Sequence, residues 1–538
     1  MPGQSEVGKR ALTEAVTALR QAIEAPNTEP FDWLTHVRTI SDALRGVAPI
    51  SANTPRFLQA AFEAGIPVQS LGVEVYQFGF GRRGRWLDST FTDATPNIST
   101  KIARHKQWAA SLLKQAGLPV PQHSIARSAS EAVQVATRLG YPVVVKPMDL
   151  DGGAGVAAGL DNEAEVRKAY EIAKAMSGNV LVEKHVHGRD FRLTVFNGEL
   201  LWAVERVPGG VTGDGVHSIA ALLDTLNADP RRGVGPAAPL KRLDWDDEAQ
   251  ALLDKAGLSK ASIPKPGAFI RLRRTANVGT GGMPVAVLDQ VHPDNAKLAI
   301  RAAQALQLDL AGIDLLIPDI GRSWFEIGGS ICEVNAQPQL GAVTAPHLYA
   351  HILHELVEGQ GRVPTVLVIG ARTQDDLHLQ LEQALSQAYP RLGYFDQRGV
   401  RLGGERLSPG IQTAYAAGKL LMLERAMDAM VLSIQDDSVL YTGLPLPRFD
   451  VAIIAGSNLR QSQPEHPQPM AKVMTEVLDA VLPACDHTVI VSDSCGISMA
   501  RVQAPHYTVH VTTQARIVSM ALAALTGVPA VSSPAADA

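Results

Sequence analysis

Three oxygen-bearing side chains in otherwise apolar surroundings are the residues of this chain best suited to do chemistry. Asp314 interrupts the apolar run Ile313 to Ile317, and Glu333 and Asn335 flank Val334 after the run Gly329 to Cys332. Successive side chains of a strand alternate between faces, so Glu333 and Asn335 project to the same side. A carboxylate in such surroundings is costly unless it is paired, hydrogen-bonded or bound to a metal. Two carboxylates and an amide oxygen suit Mg²⁺, a hard ion that takes oxygen ligands and commonly shares its shell with nucleotide phosphates. The same stretch also reads as a polar-faced hairpin at a sheet edge.

A second feature points to an anion. Lys146 ends the apolar strand Pro142 to Pro147, and the loop Asp149 to Gly155 supplies glycines whose backbone N–H groups can close over phosphates. The loop is neither the GxxxxGK[ST] phosphate loop nor a dinucleotide fingerprint. Arg82, Arg83 and Arg85 form a basic loop that is either solvated surface or a clamp for an acidic substrate.

The elements that must position these residues alternate between helix and strand. Helices are predicted over Thr100 to Ala116, from the capping box Ser128 to Glu131 up to Gly140, over Asn162 to Met176 and over Pro293 to Leu306. Asn197-Gly198 joins Arg189 to Phe196 with Glu199 to Arg206 in a hairpin. Residues Asp214 to Gly267 read as loop-rich and polar, and the first 95 or so residues as two helical patterns followed by a short element from Pro67 to Phe78. Apolar strands at Thr365 to Gly370, Ala429 to Ile434, Asp450 to Ala455 and His487 to Ser492 imply a doubly wound α/β domain.

Composition bounds the class. At 538 residues the chain has room for about three or four domains. Hydrophobic residues at 46% and charged residues at 19% are those of a soluble globular protein. A net charge of -5 gives no electrostatic reason to expect nucleic acid or an anionic membrane as partner. Cys332, Cys485 and Cys495 are too widely spaced for a disulfide framework or zinc site, no apolar segment reaches membrane-spanning length, and a cytoplasmic location is expected.

The order of these motifs resembles the ATP-grasp fold of carboxylate–amine ligases, and more closely the cyanophycin synthetases. The resemblance is carried by Val182-Glu-Lys184, Gly188-Arg-Asp-x-Arg192, Glu205-Arg-Val-Pro208, Thr275-Ala-Asn277, Thr280-Gly-Gly282, Gly312-Ile-Asp314 and Glu333-Val-Asn-Ala336, in register over roughly residues 98 to 360. It implies that Lys106 and Lys146 bind ATP phosphates under a lid containing Asp151, Gly152, Gly153 and Gly155. It further implies that Glu183, Lys184 and Val186 line the adenine pocket with Asp190 near the ribose, and that Asp314, Glu333 and Asn335 hold Mg²⁺. Arg192, Arg206 and Arg273 become candidates for steadying the transferred phosphate or an acidic substrate, the alternative for each being a salt bridge.

The implied fold class is multidomain α/β and α+β: an N-terminal helical or α+β domain (1–97), an ATP-grasp domain (98–360), a degenerate Mur-ligase-like doubly wound domain (365–527) and a disordered tail (528–538). The implied reaction is ATP-dependent amide formation through an acyl phosphate, with ATP and Mg²⁺ as cofactors and amino acids or short peptides as substrates. Two departures stand near the substrate: the lid has Gly152 and Ala154 where the family carries histidine and arginine, and Ala336-Gln-Pro-Gln-Leu-Gly341 replaces an Ala-Pro-Gly-Phe-Arg-Met-His run. They favour a small product over polymerisation of β-aspartyl-arginine, which remains the alternative, as does a non-catalytic nucleotide-binding module. Gly370 to Asp375 lacks the lysine and hydroxyl of a phosphate loop, so the C-terminal domain is expected to be a packing or dimerisation scaffold that binds no ATP.

Overall fold

Asn197 and Gly198 adopt φ of 48° and 82° in the computed structural model, the left-handed pair that a two-residue hairpin needs. Their strands, Arg189–Phe196 and Glu199–Val207, are the centre of a five-stranded antiparallel sheet. The spatial order is Met283–Ala286, Glu199–Val207, Arg189–Phe196, Leu310–Ile317 and Ser330–Asn335. One face, with Phe191, Leu193, Val195, Ile313 and Leu315, is buried in a core shared with the helix Pro293–Ala305. The other face carries the polar residues singled out by sequence.

The described residues are 5–24, 32–45, 51–148, 155–234, 238, 240–341, 344–370, 376–408, 410–411, 413–462, 465, 468–499 and 502–527. Contacts divide the chain into one unit of Pro49–Arg56 with Leu87–Ile352, and another of Met1–Ala48, Phe57–Trp86 and Leu353–Ala538. The expected lid residues Asp151, Gly152 and Gly153, the loop 371–375 and the tail 528–538 lie outside the described residues.

The unit holding the five-stranded sheet also contains a four-stranded sheet ordered His123–Ala126, Val180–Lys184, Val143–Pro147 and Ala157–Leu160. The helices Ala129–Leu139 and Glu163–Met176 share its core. Ser128 caps the first, accepting from Glu131 N at 3.1 Å, and Asn162 caps the second, accepting from Glu165 N at 3.0 Å.

Two expectations need correction here. The helix read over Thr100 to Ala116 is two helices, Asn97–Arg104 and Lys106–Gln115, because His105 leaves helical geometry (φ -97°, ψ 95°) and its side chain caps the second by accepting from Trp108 N. Lys106 thereby becomes the first residue of a helix. The stretch Asp214 to Gly267, expected to be loop-rich, holds the helices Ile219–Asn227 and Asp247–Lys255, capped by Ser218 and Asp246. They share a small core of Val211, Ile219, Leu223, Leu243, Ala249, Leu253 and Leu272.

In the other unit the N-terminal segment has three described helices rather than two, Ser5–Glu24, Trp33–Arg45 and Thr54–Glu63, the last beginning in the neighbouring unit, and the hairpin Val68–Gly72 with Val75–Phe78. In the basic loop, Arg83 donates to the carbonyl of Arg362 at 2.9 Å and Arg85 to those of Arg82 and Gly84 at 3.1 and 2.9 Å. The C-terminal sheet has eight strands in the order Glu405–Ser408, Gly399–Leu402, Leu392–Asp396, Ala429–Ile434, Thr365–Ile369, Phe449–Ile454, Cys485–Ser492 and Thr508–Thr512. From Leu392–Asp396 onward it is parallel, with apolar cores on both faces, which explains the continuous apolar runs. Among the described residues of the whole chain, no helix is long and apolar enough to cross a membrane.

A buried ion network ties the edge of this sheet to the helix Leu377–Ala388. Arg401 forks onto Glu382 (Nε to Oε1, 2.8 Å) and Asp396 (Nη1 to Oδ1, 2.9 Å), and Arg398 adds a second cation to Asp396 at 2.7 Å. Burial alone would raise the Asp396 carboxyl, but hydrogen bonds from Arg401 and Arg398 outweigh it and hold its pKa down to about 2. A folded-state value below the unfolded value of about 3.9 stabilises the fold above that pH and is lost as pH falls towards 2. Wild-type protein is expected to lose about 2 kcal/mol more than Asp396→Asn between pH 5 and 2 in urea unfolding. At pH 7, Arg401→Met, which leaves Arg398 as the remaining cation on both Asp396 and Glu382, is expected to cost up to about 3 kcal/mol.

Candidate active site

Strand register lays the polar residues of the five-stranded sheet out in rows. Residues opposite one another in an antiparallel pair share a face, and Asp314 stands opposite Arg192 on one side and Glu333 on the other. Arg192 in turn stands opposite Val204. Two residues further along, Thr194 stands opposite Trp202 and Gly312, and Gly312 opposite Asn335. Glu333 and Asn335 therefore share the face of Asp314, as their spacing predicts.

Asp314 is fully buried and saturated with cations. Arg192 grips it with two parallel bonds, Nε to Oδ1 at 2.7 Å and Nη2 to Oδ2 at 2.8 Å, and Arg206 Nη2 reaches Oδ2 at 2.9 Å. Arg206 also donates to Asp190 Oδ1 from Nε at 3.0 Å and Nη2 at 2.6 Å. Burial would raise the Asp314 carboxyl, but the two guanidinium groups outweigh it and hold it below its usual value. Asp190 goes the other way: burial raises it, and Asp314 nearby adds to the rise that Arg206 opposes. Burial also works against the charge of Arg206, yet Asp314 and Asp190 together raise its pKa above the ordinary arginine value.

Two further ion pairs complete the set. Lys106 Nζ lies 3.3 Å from Glu333 Oε1, and Lys146 Nζ lies 2.7 Å from Glu183 Oε2. Lys146 and Glu183 are both buried on neighbouring strands of the four-stranded sheet. Burial would lower the Lys146 pKa, but Glu183 raises it above its usual value, so the group is a fixed cation. The structure thus brings together Lys106, Glu333, Asp314, Arg192, Arg206 and Asp190, and pairs Lys146 with Glu183.

The donor set fits a hard cation in kind. Among the described residues no cluster of three His, Cys, Asp or Glu side chains is placed to hold a metal, and here the third oxygen is an amide. Asn335 spends its Nδ2 on the Gly312 carbonyl at 3.4 Å, which leaves Oδ1 as the free acceptor beside Glu333 and Asp314.

Other candidates fall elsewhere. Arg273 is not brought to this face: its guanidinium donates to Asp246 Oδ1 at 3.2 Å and to the carbonyls of Leu272 and Asp244 at 2.8 and 2.9 Å, bracing the small helical lobe. Lys184 turns its Nζ to the carbonyls of Gly140 and Tyr141, at 2.8 and 3.2 Å, so only its backbone remains for a ligand, while Val186 is half-buried beyond the strand end. Gly155 has φ of 69°, and a Cβ there would come within 2.8 Å of Pro147, so the chain can pass only as glycine.

Further contributors were not read from sequence. Arg271 senses Asp190: burial lowers its pKa and Asp190 opposes the fall. Its position two residues before Arg273 was the signal. Cys332 is the extra residue of a bulge, since Asp314 pairs with Glu333 but Leu315 with Ile331. Burial, with Glu183 adding to it, pushes its thiol pKa far up, so it stays a neutral thiol. Asn53 and Thr90, distant in sequence, donate to the Pro338 carbonyl at 3.4 and 3.0 Å, and Tyr349 donates to Asn53 at 2.9 Å. They fix the segment after Asn335.

Removing one partner of a buried pair costs far more than removing an exposed one. Arg206→Met is expected to lower stability by about 3 kcal/mol because Asp190 is left unpaired. Arg189→Met, whose half-exposed guanidinium pairs with Glu205, is expected to cost under about 1 kcal/mol. Urea denaturation of the two variants checks the contrast.

Comparison with known proteins identifies the fold. Residues 100–191 match the ATP-grasp domain family and residues 271–352 the RimK-like ATP-grasp domain family. Cyanophycin synthetase of Trichormus variabilis is 28% identical over 459 residues, 84% of this chain and 51% of that protein. Cyanophycin synthetase of Crocosphaera subtropica is 30% identical over 461 residues, 84% of this chain and 53% of that protein. Among solved structures, a bifunctional glutathione synthetase from Pasteurella multocida aligns with TM-score 0.44 and 26% identity, covering 60% of this chain and 46% of that one. The chain spans about half the length of the curated relatives it matches. It carries an ATP-grasp fold and resembles the cyanophycin synthetases.

Proposed function

We propose that this chain is an ATP-dependent carboxylate–amine ligase that joins amino acids or short peptides into a small product. The observation that carries the reading is the Arg192–Asp314–Arg206 cluster, a buried carboxylate held by two guanidinium groups beside Lys106 and Glu333. Desolvated, mutually perturbed charges gathered on one open sheet face are the usual mark of a functional site.

The residues divide the work by charge. Lys146 and Lys106 are cations for the phosphates of ATP, and Glu183 fixes Lys146 in place. A substrate carboxylate oxygen attacks the γ-phosphorus, ADP leaves, and an acyl phosphate forms; an amine then attacks the acyl carbon and expels phosphate, giving the amide. Arg192 and Arg206, whose Nε and Nη2 lie on Asp314 and Asp190, keep Nη1 to meet the moving phosphoryl group, which gathers charge on its peripheral oxygens. Asp314, Glu333 and Asn335 would hold Mg²⁺, which supplies further neutralisation of that charge. No side chain need act as a nucleophile, because positioning and electrostatics carry such a transfer.

The preference for a small product rests on the segment Ala336 to Gly341. It has no basic residue, and Asn53 and Thr90 brace it through the Pro338 carbonyl. The alternative, polymerisation of β-aspartyl-arginine, needs cations at the substrate end, and Arg83 and Arg85 already serve backbone carbonyls of their own loop and unit. The non-catalytic module remains the reading if no turnover is found. We further propose that residues 98–360 act as the ATP-grasp domain, that residues 365–527 are a Mur-ligase-like scaffold without nucleotide, and that the protein works as a cytoplasmic homodimer.

Glu333→Ala is expected to abolish ATP-dependent phosphate release while leaving the circular dichroism spectrum unchanged; retained turnover would remove Glu333 from the site. Calorimetric titration with ATP and Mg²⁺ should give one nucleotide per protomer, and two would overturn the scaffold assignment. Incubation with ATP, Mg²⁺, β-aspartyl-arginine and a cyanophycin primer should yield no chain extension, whereas extension in step with phosphate release would establish the polymerase alternative.

A further inference from the structure

We propose that Trp202, beneath His347, is a specificity-determining residue that reads the part of the carboxylate substrate just behind its reacting carboxyl group, its indole Nε1–H donating to a substrate oxygen. The inference rests on the ligase reading and extends it to a surface that the charged residues do not cover.

Position comes first. Trp202 stands opposite Thr194, one row beyond Arg192 and Asp314 on the same face of the sheet. It is absent from the apolar core behind the sheet, which takes Leu200 and Ala203 from the same strand. Asp190 and Arg206 mark the opposite end of this face, where the chain arrives from Glu183 and Lys184 of the four-stranded sheet. Nucleotide phosphates that meet Lys146 and then Arg206 and Asp314 therefore approach from that end. The atoms beyond the γ-phosphate must lie over the next row, about 7 Å further along the strand. That row is Trp202, Thr194, Gly312 and Asn335. Gly312 matters there, because a Cβ at this position would come within 2.9 Å of Pro338 Cβ.

Chemistry comes second. The indole Nε1 of Trp202 is buried and has no hydrogen-bond partner among the described residues. A buried indole N–H ordinarily finds an acceptor, and one left without it on this face is a donor awaiting a ligand. His347 packs against the indole, the ring centroids 5.5 Å apart and the planes at 79°. His347 is exposed, so an entering substrate can displace that contact without opening a core. The indole also presents a flat apolar surface to a short aliphatic stem. The class this suits is an amino acid or dipeptide carrying a second oxygen acceptor, carboxylate or amide carbonyl, a few bonds from the carboxyl that is activated.

The test separates binding from turnover. Protein is saturated with Mg²⁺ and a non-hydrolysable ATP analogue, and L-aspartate, L-glutamate, L-arginine and β-aspartyl-arginine are added in turn. The indole ¹⁵N–¹H resonance of Trp202, assigned by its loss in Trp202→Phe, is expected to shift with at least one of them. Calorimetry should show that ligand bound about tenfold more weakly by Trp202→Phe, which keeps a smaller aromatic ring and loses the donor. Affinity for the nucleotide analogue should stay within twofold, a result that a general loss of fold would not give. An unmoved resonance with all four compounds, or equal affinity in wild type and Trp202→Phe, overturns the assignment. Failure of the wild type to bind the nucleotide analogue at all would instead overturn the ligase reading beneath it.

Discussion

The buried carboxylate of Asp314 is the constraint around which the site unit is arranged. A lone ion there would be prohibitive, since taking a carboxylate out of water costs several kcal/mol even after relaxation. Arg192 and Arg206 offset that cost, and they do so from two different strands. The strands must therefore keep one register, and the Asn197-Gly198 turn and the apolar face against Pro293–Ala305 enforce it. A slip of one residue would move both guanidinium groups to the apolar side. Charge and sheet register specify each other.

That mutual dependence explains what could be read from the chain. Asp314, Glu333 and Asn335 were legible because period-2 alternation is a local property, and the hairpin was legible because Asn-Gly has few other uses. Lys146 was legible as a charge on an apolar strand before a glycine loop, Lys106 came through resemblance, and each proves to have a carboxylate partner. The losses have local causes too. His105 ended a helix by using its own side chain as a cap, which apolar periodicity does not reveal. The helices at Ile219–Asn227 and Asp247–Lys255 were hidden in polar, proline-bearing sequence, because each buries only a few residues in a small core. Arg273 looked equivalent to Arg192 until its fork was seen on Asp246 and two carbonyls. Asn53 could not be found at all, since its bond to Pro338 spans 285 positions and no local pattern encodes such a contact.

The C-terminal unit presents the opposite case. Four of its strands were legible as apolar runs, but Leu392–Asp396, Gly399–Leu402, Glu405–Ser408 and Thr508–Thr512 were not. Leu392–Asp396 is fully buried yet ends on Asp396, and its polar end is tolerated only because Arg401 and Arg398 meet it. Where that sheet carries buried polarity at Tyr394 and Ser433, His378 of the helix Leu377–Ala388 bonds to both, reaching Tyr394 Oη at 2.9 Å and Ser433 Oγ at 3.3 Å. Such a closed network rigidifies a core and has few bonds left to offer a ligand.

The site unit differs from this in what remains unspent. Its ion pairs are built from groups that can exchange partners: Arg206 divides its fork between Asp190 and Asp314, and Lys106 pairs with the half-exposed Glu333. On the proposed ligase reading, an arriving polyanion would take over these cations and the carboxylates released would turn to a hard cation, so the total pairing would be conserved without exposing a bare charge. Charges that are paired among themselves and can be paired differently are what that reading requires of a phosphoryl-transfer site, which must be stable alone and attractive to ligand. The closed polar network of the C-terminal sheet has no such second pairing.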